Sequence, residues 1–325
     1  MDLANRRKLT MADIHSAADR LRNWGRWGPQ DELGTLNHTT PEDIVAAARL
    51  VTKGTVISLA LPFDSRGPQG AKSNYPSLGR FNPIHLMVRT GTDAYAGRLE
   101  GRGISTTEDV IIMPLQCGTQ WDGLSHVLFE NQMWNGYDCR NVSSFGADKC
   151  GIEKARHKMV GRGVLLDVAR LLNTDALEDG FAITSEILDK AEQFAGTPIR
   201  RGDYILVRTG QMEQKLRDKN WDGYPGGDAP GLAFDTLDWL QAKQVAAIAT
   251  DTFAVEVRPN NSGDIVSPFH WISIPIMGLT LGEIFKLDEL AADCAADGRY
   301  EFMFVAPVLP FTGAVASPTN PLAIK

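Results

Sequence analysis

Short apolar runs rich in β-branched residues recur along this chain, at residues 55–61, 84–90, 110–115, 163–168, 204–208, 246–249 and 302–308. Each is short for a buried helix, and most are bounded by glycine, proline or charge, which is the pattern of strands. Helical periodicity covers fewer segments: 11–23, 185–194, 236–243 and 281–295. One more helix opens at Thr40-Pro41-Glu42-Asp43 and runs to about residue 51, with Gly54 just beyond it. There a capping side chain, a proline at the first helical position and acids in the first turn agree. A sheet interleaved with helices must be covered by them, so the expected class is α/β with more strand than helix.

The stretches 62–83, 130–150 and 219–232 are long and rich in Gly, Pro and Asn, as are loops that carry function or cover a site. No internal repeat or composition break marks a linker. The expected organisation is an N-terminal arm, residues 1–37, and a single domain, residues 38–325. A net charge of −7 spread along 325 residues argues against nucleic acid, whose phosphates need a concentrated basic surface. No apolar run reaches the roughly 20 residues of a membrane helix, so no membrane partner is expected. The first residues lack the apolar centre of a secretory signal, and the four cysteines form no CxxC pair. Those features read as a soluble cytoplasmic protein with reduced thiols.

The densest set of groups able to do chemistry is Gln116-Cys117-Gly118-Thr119-Gln120-Trp121-Asp122-Gly123-Leu124-Ser125-His126, after the run at 110–115. Gly118 permits a tight turn or a close backbone approach. Asp122 and His126 lie four residues apart and share one side if the chain turns helically between them. By itself such a pair is more often a surface hydrogen bond than a catalytic pair. Ser125-His126 lacks a Gly-x-Ser-x-Gly elbow, and no Gly-rich phosphate loop joins a strand to a helix, so serine-hydrolase, Rossmann and P-loop readings fail. A Cys117 nucleophile would want a neighbouring histidine base, which is absent locally.

The segment resembles the His-x-Gly-Thr-His-x-Asp-x-Pro-x-His signature of the cyclase family of metal-dependent hydrolases, which includes kynurenine formamidases and isatin hydrolases. Gly118, Thr119, Asp122 and His126 are in register; Gln116 and Gln120 replace two histidines, and Leu124 replaces the proline. The block from His270 to Glu283 resembles the family's later segment, in which a histidine and a glutamate at the start of a helix complete the metal site. Arg208-Thr209-Gly210 and Asp251-Thr252 resemble two of its strand ends. Trp24-Gly25 onward, through Asp31 to Asn37, resembles the N-terminal extension of longer members. The resemblance implies the swivelling β/β/α fold, a mixed sheet or flattened barrel flanked by helices, and a homo-oligomer, dimer or tetramer. It also implies hydrolysis of an amide, lactam or lactone bond in a small-molecule substrate, cyclic or aromatic.

The resemblance places Gln116, Gln120, Asp122, His270 and Glu283 around a divalent metal, with His126 beside the reacting water. Amide oxygens in place of imidazoles make the set harder, so Mn²⁺ is preferred over Zn²⁺. Without a metal, His126 and Glu283 would move protons while the glutamine amides bind a carbonyl oxygen, in hydrolysis or in ring closure or dehydration. A binding protein without catalysis is the third reading. Around that set, Trp121 is expected to stack on substrate. His85 either lines the pocket or is a half-buried strand residue. Arg208 either holds a carboxylate product or forms half of a buried ion pair. His15, His38 and His157 read as solvated.

Overall fold

The computed structural model describes residues 7–72, 79–98, 101, 103–263 and 265–325. Eleven strands carry the argument: β1 (Val56–Ser58), β2 (Ile84–Arg89), β3 (Glu108–Ile112), β4 (Gln120–Asp122), β5 (Val160–Asp167), β6 (Tyr204–Arg208), β7 (Ala247–Thr250), β8 (Thr280–Glu283), β9 (Glu301–Val305), β10 (Ala316–Pro318) and β11 (Leu322–Ile324). Nine of them form one curled sheet in the order β1-β11-β9-β5-β6-β7-β8-β4-β10. Its centre, β5 to β8, is parallel, and antiparallel strands close both sides. Buried strands at the centre are continuously apolar, as in Tyr204–Arg208 and Ala247–Thr250, because helices and loops cover both faces. Among the described residues no helix is long and apolar enough to cross a membrane.

All seven apolar runs overlap a strand, and the helices Pro41–Ala48, Ser185–Ala195 and Thr236–Lys243 form where their local sequence puts them. Thr40 and Asp43 close a reciprocal capping box at the first of these. The run at 281–295 is different. Its first residues, Thr280–Glu283, extend as β8, and the helix waits until Asp288–Asp297. The reason is tertiary: β8 is wedged between β7 and β4, and Gly282 lets them close. A Cβ there would lie 2.5 Å from the Ala249 Cβ and 2.8 Å from the Trp121 ring.

Strands β2 and β3 pair only with each other, as an exposed ribbon outside the main sheet. The run before the reactive cluster is therefore not a buried scaffold strand. The scaffold is β4 itself, three polar-flanked residues fully buried between β8 and β10.

Residues 7–37, most of the expected arm, are built into the body of the same chain. The helix Met11–Leu21 buries Ile14, Ala17, Ala18 and Leu21, spaced i, i+3, i+4 and i+7 on one face, in the larger core. Asn23 then donates to Met277 O, the Trp24 indole to Pro275 O, and the Thr35 hydroxyl to Ala246 O. This segment also buries His38, which was expected in solvent. The ring is 4% exposed and meets the Trp27 ring edge-on at 5.1 Å. His15 and His157 are exposed, as expected.

Burial, with Arg26 and Arg201 nearby, lowers the His38 pKa from 6.5 to about 4. A histidine with a depressed folded pKa contributes stability that is whole above pH 6.5 and is lost as pH falls toward 4. Acidification from pH 7 to 5 should therefore cost about 2 kcal/mol through this residue. Urea melts at the two pH values check this: His38→Gln should lose clearly less stability on acidification than the wild type.

Candidate active site

The site is built on the pairing of β4 with β8. The two run antiparallel with Glu283 opposite Gln120, Gly282 opposite Trp121 and Leu281 opposite Asp122. Side chains alternate across a strand, so Gln120 and Asp122 face one way and Trp121 the other. Trp121 accordingly packs on Phe285 and Phe304 in the core and donates its indole N–H to Ala306 O. It does not line the pocket, contrary to the expectation that it stacks on substrate.

His270 arrives on the short helix Pro268–Ser273. One ligand atom each from Asp122, His270 and Glu283 lie within 4.8 Å of one another, and all three residues are buried. His270 Nε2 is 3.2 Å from Glu283 Oε1, and its Nδ1 bonds Glu256 at 2.5 Å. Glu256 also accepts the backbone N–H groups of Phe269 and His270, which pins the helix start to the sheet. Burial alone would lower the His270 pKa, but the hydrogen bonds to Glu256 and Glu283 outweigh it and raise it to about 10. Burial and the neighbouring Asp122 carboxylate push Glu283 upward, against the pull of His270 and Arg80.

Gln120 is fully buried. Its amide nitrogen donates to Glu283 Oε2 at 2.9 Å and reaches Asp122 Oδ1 at 3.5 Å, while its Oε1 has no hydrogen-bond partner among the described residues. After Asp122 the chain turns, with His126 N donating to Gly123 O, so that His126 Nε2 comes back to 3.8 Å from Asp122 Oδ2. Gln116 Nε2 lies 3.4 Å from His126 Nδ1. Gln116, Gln120, Asp122, His126, His270 and Glu283 thus form one continuous cluster.

Asp122, His126, His270 and Glu283 line a cavity of about 410 Å³, whose other walls include Arg80, Val127, Phe253, Arg258, Ile265 and Trp271. Arg80, Phe253 and Trp271 carried no signal in the sequence. Glu256 sits in Val-Glu-Val, one polar residue in an apolar stretch that ought to be buried, and that oddity was the one available hint.

Two other expected residues are elsewhere. His85 stands on the β2–β3 ribbon, exposed, 2.7 Å from Asp109, because that ribbon leaves the main sheet. Arg208 is buried in ion pairs with Asp167, at 2.9 Å, and Glu213, so it does not hold a product carboxylate. The residues that follow it serve the scaffold, since Asp251 accepts the N–H and hydroxyl of Thr209 and the N–H of Gly210. Ser125 donates to Cys150 O, and burial pushes the Cys117 thiol up to about 11, so neither is an activated nucleophile.

Directly after Glu283, Ile284 holds φ of 61° while fully buried, a conformation that costs a β-branched residue on the order of 1–3 kcal/mol. Its N–H donates to Thr252 O, and its carbonyl accepts the Thr119 hydroxyl at 2.6 Å. The same Thr119 oxygen accepts the Leu61 N–H. The kink turns the chain sharply after the Glu283 carboxylate.

A mixed sheet with a parallel centre, and a buried carboxylate–imidazole cluster at the carboxyl end of one of its strands, define an α/β protein of the swivelling type. The chain belongs to the cyclase family: the family model described as "Putative cyclase" matches residues 57–257. A crystal structure of a novel cyclase is 37% identical, covers 94% of this chain and 100% of its own, and superposes with a TM-score of 0.83. The isatin hydrolases A of Labrenzia aggregata, bound to benzyl benzoate, and of Ralstonia solanacearum share the fold. Each is 17% identical over 88% of this chain and 98% of its own, with TM-scores of 0.59 and 0.60. No curated protein matches the sequence.

Replacing Thr119 by Val removes both bonds of the clamp and strands the buried Leu61 N–H and Ile284 carbonyl. A loss of about 2–4 kcal/mol is expected. Equilibrium urea unfolding measures it, and unchanged stability would show that the clamp does not hold the kink.

Proposed function

We propose that this protein is a hydrolase that opens an amide, lactam or lactone bond of a small cyclic or aromatic substrate by attack of water. The observation that carries this reading is the convergence of Asp122, His270 and Glu283 beside the unpartnered Gln120 Oε1, on the wall of a cavity. Two carboxylates, one imidazole and an amide oxygen are a donor set that fits a hard divalent ion, Mn²⁺ ahead of Zn²⁺. Such an ion would supply polarisation of the substrate carbonyl and a more acidic water.

The protein's own groups define the rest. Glu256 holds His270 by Nδ1, which leaves Nε2 directed at the site. The Gln120 amide nitrogen fixes the Glu283 carboxylate, and Asp122 faces both across the strand pair. His126, part-exposed at the pocket wall and next to Asp122, is placed to carry a proton between the attacking water and the leaving nitrogen or oxygen. Val127, Ile265 and Trp271 give a cyclic substrate an apolar wall.

One observation favours a second reading, acid–base chemistry without a metal. Both ring nitrogens of His270 are bonded to carboxylates, which favour the protonated ring. An imidazolium there would itself supply positive charge to the site, and the raised pKa of Glu283 suits a proton donor.

Asp122→Asn and His126→Ala should each abolish turnover of an amide, lactam or lactone substrate while leaving the thermal melt in place. Near wild-type turnover in either would misplace the chemistry. Chelation decides between the two readings. A chelator should remove activity and Mn²⁺ should restore it at least as well as Zn²⁺, with Gln120→His binding zinc roughly 10- to 100-fold more tightly than wild type. Activity indifferent to chelator, together with no gain in metal binding by Gln120→His, would leave the acid–base reading.

A further inference from the structure

The polar end of the pocket holds a charge that the hydrolytic reading does not use. Arg80 is half-buried on the pocket wall, with its guanidinium 5.4 Å from the centre of the Phe253 ring. Among the described residues it makes one long hydrogen bond, 3.5 Å to Gln116 O, and no ion pair within 4.0 Å. A guanidinium has five N–H donors in a rigid fork matched to a carboxylate. Neither pocket carboxylate is paired with it: Glu283 is bonded to His270 and Gln120 and feels the Arg80 charge only from a distance, and Asp122 lies 3.5 Å from Gln120 and 3.8 Å from His126. A second guanidinium, Arg258, lies on the same pocket, tied to Gly226 O and Ser267. The acids are at the buried end, 1% and 3% exposed, and both arginines are nearer to solvent. A pocket lined in this order suits a ligand with a carbonyl at one end and an anion at the other.

We propose that Arg80 anchors an anionic group of the substrate, so that the pocket takes a small cyclic or aromatic acid. Its ionised group lies on the Arg80 fork, its ring lies between Phe253 and the Val127–Trp271 wall, and its scissile carbonyl lies at Asp122 and Glu283. The inference rests on the hydrolytic reading for the position of the carbonyl, and it adds the charge of the substrate. Phe253 holds the guanidinium from beneath by a cation–π contact, which spares its edge donors for the ligand.

The test is binding of benzoate and of benzamide, which share a ring and differ in charge, measured by calorimetry on the whole chain. Wild type should bind benzoate more tightly than benzamide, and added salt should weaken benzoate alone. Arg80→Gln, checked for an unchanged thermal melt, should weaken benzoate at least about tenfold and leave benzamide as it was. Equal affinity of wild type for the two probes would overturn the inference without any variant. So would benzoate binding that survives Arg80→Gln but is lost in Asp122→Asn, since the anion would then sit on the buried cluster. Failure here leaves hydrolysis intact if a neutral lactam or lactone is turned over in an Asp122-dependent way. Failure of hydrolysis leaves the benzoate–Arg80 result to stand as measured.

Discussion

Four carboxylates are taken almost wholly out of water in one region of this fold: Asp122, Asp251, Glu256 and Glu283, each 1–3% exposed. Burying an ionised carboxyl costs several kcal/mol unless donors replace the water it loses. The surrounding structure is arranged to supply them. Asp251 receives the Thr209 and Gly210 ends of β6, and Glu256 receives the start of the His270 helix. Glu283 receives the His270 ring and the Gln120 amide. Asp122 has the longest contacts of the four among the described residues, 3.5 Å to Gln120 and 3.8 Å to His126. The least compensated carboxylate thus lies on the pocket wall, where a ligand can complete it.

The same donors are what tie distant segments together. Asp251 joins the carboxyl ends of β6 and β7, and Thr119 joins the loop at Leu61 to the kink at Ile284. Because Ile284 is strained, its conformation persists only while both its N–H and its carbonyl are held. The direction in which Glu283 points is therefore decided by residues from three separate parts of the chain.

The glutamine at position 120 also shapes how the cluster is held together. A neutral imidazole cannot donate to two carboxylates as Gln120 does, and an amide has an oxygen left over when its nitrogen is engaged. Gln120 thus stabilises Asp122 and Glu283 as neighbours while keeping an acceptor in reserve. Gln116 meets His126 instead, at the more open end of the cluster.

Much of this was legible from residues alone. The strands at the centre of the sheet were visible because burial on both faces demands unbroken apolar runs, and the cap at Thr40 sits where local chemistry puts it. The resemblance to the cyclase family brought Gln116, Gln120, Asp122, His126, His270 and Glu283 together, and the fold gathers the same six in space. What only tertiary structure decided was direction and partnership. Trp121 turns to the core because β4 alternates, and β4 is too short and polar to announce itself. Arg208 is consumed by Asp167 and Glu213, and His85 leaves with a ribbon that periodicity cannot distinguish from a sheet strand. Residues 280–283 extend rather than coil because Gly282 fits between two neighbouring strands. Arg80 reaches the site from a segment with no local mark of it, and Glu256 shows only as a lone carboxylate in an apolar stretch. A sequence specifies which groups a chain carries and the periodicity of its backbone; which of them meet depends on pairings between segments far apart, and those are set by packing.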